Sequence, residues 1–107
     1  MVQKPRFEII FDDSIIKHFA AIERKDHTFL LESIEQQLRH EPTVPARNRK
    51  ALRIPNAVNA TWELRCGVDN RYRVFYDVDI ESRYVIVLAI GKKVGNRLTI
   101  GREEFDL

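Results

Sequence analysis

The sequence predicts an α+β fold: a mainly antiparallel, twisted sheet of about four to five strands, with two N-terminal helices packed on it. Three observations predict it. Apolar residues recur at helical spacing only between Ile15 and Leu38, whereas from Trp62 to Ile90 they alternate with period two or run on continuously. Short turn signals join the later runs, GVDN at 67–70 and a polar stretch at 79–83. Consecutive strands joined so tightly should pair as an antiparallel meander.

Taken in order, FEIIF at 7–11 is a short apolar run with a β-branched pair, read as a strand. Asp12, Asp13 and Ser14 follow as helix-capping residues. Ile15, Ile16, Phe19, Ala20 and Ile22 fall on one helical face, and after a break near Lys25 and Asp26 a second stripe follows in Leu30, Leu31, Ile34 and Leu38. Pro42 supplies the stop. Two such helices with a short connection should form an antiparallel hairpin that covers one sheet face. Residues 43–61 change character, with two prolines, three asparagines and the cations Arg47, Arg49, Lys50 and Arg53. This is a mostly irregular basic segment with a short extended piece at 51–54, and loops of that length commonly bind something or move.

Alternation then resumes. Trp62, Leu64 and Cys66 share one face of a strand, and Glu63 and Arg65 share the other. In the next strand Tyr72, Val74, Tyr76 and Val78 oppose Arg73, Phe75 and Asp77. The run from Tyr84 to Ile90 is almost continuously apolar and β-branched, as in a central strand covered on both sides. It should stop at Gly91, presenting Lys92 and Lys93 at its end. Beyond the Gly95-Asn96 turn, Leu98 to Ile100 suggests a last edge strand.

A chain of 107 residues suits one domain spanning 1–107. Hydrophobic content of 44% and charged content of 32% describe a globular protein. With one cysteine no internal disulfide can form, and Cys66 falls on a core-facing position. No apolar run approaches the roughly 18 residues of a membrane span, and the start lacks a long apolar leader, which points to a cytoplasmic protein with no membrane partner. Net charge is +2, unevenly spread: residues 1–40 hold 6 basic and 7 acidic side chains, residues 47–97 hold 11 and 5. The basic half suits a polyanionic or acidic partner, or is a solvated surface.

Motifs for most chemistries are absent. His18, His27 and His40 are spaced 9 and 13 residues apart, which is no metal signature, and there is no glycine-rich phosphate loop, HExxH or cysteine cluster. No metal or cofactor is expected. What remains is a cationic site at one sheet edge: Arg73, Lys92, Lys93 and Arg65 with Glu63, the basic segment Arg47, Arg49, Lys50 and Arg53 beside it, and Arg71 next to Arg73. Cleavage of RNA by its own 2′-hydroxyl needs a base, cations to stabilise the pentavalent phosphate, and an acid for the 5′-oxygen. Arg65, Arg73 and Lys92 suit the middle role, Glu63 could serve as base, and no ordinary acid is evident.

Three stretches now carry a resemblance: WELR at 62–65, YRVFYDVD at 72–79 and VIVLAIGKK at 85–93. In the order strand, two helices, basic loop and meander, nearly the whole chain resembles the RelE/ParE superfamily of toxins from bacterial type II toxin–antitoxin modules. The resemblance implies a cognate antitoxin as partner, a toxin–antitoxin hetero-oligomer, and metal-independent, ribosome-dependent cleavage of mRNA by the toxin. By position Arg73 matches the family's phosphate-contacting arginine, Lys92 and Lys93 its basic residues after the last core strand, and Glu63 a position where some members carry lysine. Several ribosome-dependent members also use a tyrosine or histidine near the C-terminus, and residues 94–107 contain neither. The ParE branch inhibits DNA gyrase instead, which is the alternative function, and a catalytically weak subunit that only binds antitoxin is a third.

Overall fold

The apolar run that begins at Tyr84 becomes the middle of a larger sheet than expected. The computed structural model describes residues 6–106; the first five residues, where a leader would start, and Leu107 lie outside them. Among the described residues seven strands form one sheet: β1 (Glu8–Phe11), β2 (Arg49–Ala51), β3 (Trp62–Cys66), β4 (Tyr72–Asp79), β5 (Tyr84–Val94), β6 (Arg97–Ile100) and β7 (Glu103–Asp106). Their order is β2-β3-β4-β5-β6-β7, every neighbouring pair antiparallel, and β1 joins parallel to β5. The four to five strands expected are exceeded for two reasons. The basic segment pairs at Arg49–Ala51 instead of 51–54, and the tail folds back twice.

The end of β5 also differs from expectation. Gly91 does not stop the strand, which continues to Val94, with Gly91 paired to Ile100. A Cβ at Gly91 would lie 2.9 Å from both Leu98 and Ile100 side-chain carbons and 3.1 Å from the Thr99 carbonyl oxygen. Glycine is present there because β6 packs too closely for a side chain.

Helix placement differs as well. Helix α1 (Ile15–Ala20) has only six residues, a 3-10 turn at Arg24–Asp26 follows, and then comes α2 (His27–Leu38). The expected helix hairpin is not the arrangement among the described residues: α1 lies over β5, while α2 supplies the deeper stripe. Ile16 is 77% exposed, so the stripe read from 15 to 22 is narrower than its sequence suggests. Leu30, Ile34 and Leu38 are buried against Leu64, Val74, Tyr76, Val85 and Val87. Each such side chain is worth roughly 1.5–3 kcal/mol of transfer free energy. Tyr76 Oη donates to the Pro42 carbonyl at 2.6 Å, tying the end of the helical layer to the sheet. A second cluster, Ala60, Phe75, Ala89, Leu98 and Ile100, occupies the other face. No helix among the described residues is long and apolar enough to cross a membrane.

A β-bulge sets which face each residue of β5 serves. Tyr76 pairs with Val87 and Phe75 with Ala89, so Leu88 is an extra residue. Before it Val85 and Val87 join the helix-side core, and after it Ile90 does. On the opposite edge β1 ends at Phe11 beside Val87 and β6 ends at Ile100 beside Gly91, leaving residues 88–90 without a strand. The segment entering α1 fills that gap. Asp12 N–H donates to the Val87 carbonyl at 2.9 Å, Ser14 Oγ donates to the Leu88 carbonyl at 3.2 Å, and the Ile90 N–H donates to His18 Nδ1 at 3.1 Å. Backbone groups inside a sheet must find partners, and here one backbone N–H and two side chains supply them in place of a ladder.

His18 must be neutral at Nδ1 to accept that bond, and burial pushes its pKa below the usual 6.5, against opposing attractions from Asp12 and Glu103. A depressed folded pKa means that the stability it contributes is present above pH 6.5 and is lost as pH falls through the folded value. Urea denaturation should therefore show stability declining below pH 6.5, before the carboxylates titrate, and His18→Gln should flatten that step. Gly91→Ala should destabilise by about 1–3 kcal/mol through overpacking against β6, read as a lower urea midpoint at unchanged slope.

Candidate functional site

The face opposite the helices carries an open cleft of roughly 420 Å3. Period-two alternation in β3 and β4 puts Glu63, Arg65, Arg73 and Phe75 there, β2 adds Lys50, and the bulge in β5 delivers Lys93. The loop 52–60 forms a wall through Leu52, Asn56 and Val58, and Leu98 of β6 lies beside them. The wall is built around one side chain. The Asn56 amide nitrogen donates to the Arg53 and Ala60 carbonyls, each at 2.8 Å, and its oxygen accepts from the Val58 and Ala60 N–H groups at 3.2 Å. Thr61 is pinned in turn by Asp77, which accepts from its N–H at 2.8 Å and its hydroxyl at 2.7 Å.

Glu63 is the centre of the charged half of the cleft. Its carboxylate is only 5% exposed and faces three cations. Arg73 Nη1 donates to Oε1 at 2.8 Å, while Arg65 Nε and Lys50 Nζ stand 3.6 and 3.7 Å from Oε2. Arg73 also donates from Nε to the Asn70 carbonyl at 3.3 Å. Arg65 and Arg73 are directly paired across β3 and β4, an arrangement of like charges that costs stability without an anion between them. Arg65 Nε is buried and has no hydrogen-bond partner. With Lys93, the cleft lining holds four cations and one carboxylate.

The sequence-expected residues divide sharply. Glu63, Arg65, Arg73, Lys93 and Lys50 come together in the cleft. Lys92 does not: it pairs with Tyr72 on the helix side, and its Nζ lies 3.8 Å from Glu23. The cause is the bulge at Leu88, which reverses the alternation after it and exchanges the faces of Lys92 and Lys93. Arg49 is also elsewhere. It is 7% exposed, and its guanidinium donates to the Val44 and Gln37 carbonyls, both at 2.6 Å, joining β2 to the end of α2. That arginine is used to satisfy one loop carbonyl and one at the end of α2, and is buried away from the cleft. Arg47 and Arg53 are exposed outside the cleft lining, and Arg71 is exposed near Phe29 and Val68. The apolar wall residues Leu52, Val58 and Leu98 escaped sequence reasoning; the one local hint was Pro55-Asn56, a turn dipeptide.

Two other titratable groups have core surroundings. Burial raises the Cys66 thiol to about 11, leaving it protonated at neutral pH. Tyr72 is raised to about 12 by burial and by its hydrogen bond to Asp26. No three His, Cys, Asp or Glu side chains come together as a metal site among the described residues.

No protein-family model matches the chain, and comparison with curated proteins gives no match. Among solved structures, one chain of the toxin–antitoxin complex RelBE2 from Mycobacterium tuberculosis is similar, with a TM-score of 0.66 and 22% identity. The similarity covers 82% of this chain and 99% of that one. At that identity the likeness is one of fold, a fold that occurs in a toxin–antitoxin complex.

The buried pair makes a stability prediction. Arg73→Met strands the Glu63 carboxylate and should cost about 3–5 kcal/mol, whereas adding Glu63→Leu removes the stranded charge and should restore most of it. Chemical denaturation of the two single variants and the double variant measures the coupling; additive losses would contradict it.

Proposed function

We propose that the chain is the toxin of a type II toxin–antitoxin module, and that it cleaves mRNA on the ribosome using cationic side chains around the phosphate. The observation that carries this reading is the cleft: four cations and one carboxylate, open to solvent, on a fold that resembles a chain of a toxin–antitoxin complex. A phosphodiester in the cleft would lie between Arg65, Lys50 and Lys93, above the Arg73–Glu63 pair on the floor. In the reaction the 2′-oxygen attacks the adjacent phosphorus and the bond from phosphorus to the 5′-oxygen breaks. The products are a 2′,3′-cyclic phosphate and a 5′-hydroxyl. Clustered cations stabilise the extra negative charge of the pentavalent state. The partner is a cognate antitoxin.

One observation favours a second reading. The cleft lining contains neither histidine nor tyrosine, and its carboxylate is already held by Arg73, so the usual proton donors and acceptors are missing. A subunit that binds RNA or antitoxin without cutting, or a gyrase inhibitor of the ParE kind, fits that lack. Toe-printing on a translated message distinguishes them. Cleavage predicts new cuts with the wild-type chain and a loss of about 100-fold or more in Arg65→Gln/Lys93→Gln, since each charged contact is worth roughly 1.5–3 kcal/mol. Absence of wild-type cuts would reject the nuclease, and trapped cleaved DNA in a gyrase supercoiling assay would support the inhibitor.

A further inference from the structure

The cations of the cleft are not equivalent. We infer that Arg73 acts on a bound phosphate only through Glu63, as a positioning residue, and that Arg65, Lys50 and Lys93 are the groups that close on the phosphate. This rests on reading the cleft as an RNA site. Three observations separate the roles. Side-chain exposure is 8% for Arg73 and 5% for Glu63, against 32% for Arg65 and 53% for Lys50. Arg73 is hydrogen-bonded to Glu63 at 2.8 Å and to the Asn70 carbonyl, so its guanidinium has a fixed position. Arg65 and Lys50, at 3.6 and 3.7 Å, are drawn towards the same carboxylate without a hydrogen bond to it, and Arg65 Nε has no hydrogen-bond partner.

Charge counting then gives Glu63 a function. Arg73 and Glu63 cancel, leaving Arg65, Lys50 and Lys93 as the net positive charge met by an incoming anion. Glu63 also lies beside the directly opposed Arg65 and Arg73, where a carboxylate relieves like-charge repulsion in the empty cleft. A phosphate competes with Glu63 for Arg65 and Lys50 but not for Arg73. Glu63 therefore holds the mobile cations in place while weakening anion binding.

Two substitutions separate this arrangement from one in which Arg73 touches the phosphate. Glu63→Gln removes the competing charge; Glu63→Gln with Arg73→Gln removes the whole neutral pair and keeps two side chains able to hydrogen-bond each other. The probe is fluorescein-labelled 2′-O-methyl hexauridylate, which lacks the attacking hydroxyl, titrated by anisotropy over a salt series. Expected results are at least about fivefold tighter binding for Glu63→Gln, and for the double variant an affinity no weaker than wild type with an unchanged salt slope. Arg65→Gln should lose about tenfold or more, with a salt slope shallower by about 0.7, as one lost phosphate contact on a single strand requires. A tenfold loss with a slope shallower by about 0.7 in the double variant would overturn the inference, as would no tightening in Glu63→Gln. Circular dichroism melts confirm that each variant is folded, and the double variant, which strands no charge, remains decisive if Glu63→Gln is not. Toe-printing on the same proteins keeps the two ideas apart. Wild-type cutting with a binding loss in the double variant overturns this inference alone, and a wild type that neither binds nor cuts overturns the proposed function with it.

Discussion

The bulge at Leu88 is the constraint on which the rest of the structure depends. A strand has a side-chain period of two, so one extra residue reverses the face of everything after it. Without it Lys92 would share a face with Arg73, and Lys93 would point into the helical layer. With it, Ile90 reaches the core beside Val87, and Gly91 comes under β6 where only glycine fits. The same irregular stretch has no strand on its outer edge, and Asp12, Ser14 and His18 supply the missing hydrogen bonds. The position of α1 is thus tied to the point in the sheet where the cleft's lysine is chosen.

The second constraint is electrostatic. A carboxylate that is almost wholly buried needs partners, and Glu63 has one close and two distant cations. Like charges at paired positions of β3 and β4 are tolerated because that carboxylate stands between them. The cleft combines a rigid ion pair with cations that are only loosely held, on a wall kept in shape by the four hydrogen bonds of Asn56. A site of that kind suits an anion that arrives and leaves. The fold is shared with a chain of the RelBE2 complex, but the chemistry belongs to the side chains of the cleft and not to the fold.

The alternation of Trp62 to Cys66 and of Tyr72 to Val78 determined by itself which residues of β3 and β4 share a face, since strand periodicity is a local property of the backbone. It placed Glu63, Arg65 and Arg73 together and Cys66 and Tyr72 in the core. The stripe in α2 was legible in Leu30, Ile34 and Leu38, which recur with the helix's own period, but not in Leu31, which is 45% exposed. Tertiary structure alone decided the rest. Nothing in the apolar run Val85 to Ile90 marks Leu88 as the extra residue, since a bulge is a property of two paired strands, and so the choice of Lys93 over Lys92 could not be read. Nor could Arg49 be told from Lys50: both are cations in one basic segment, and only the Val44 and Gln37 carbonyls, brought close by folding, take the first into the interior and leave the second at the cleft.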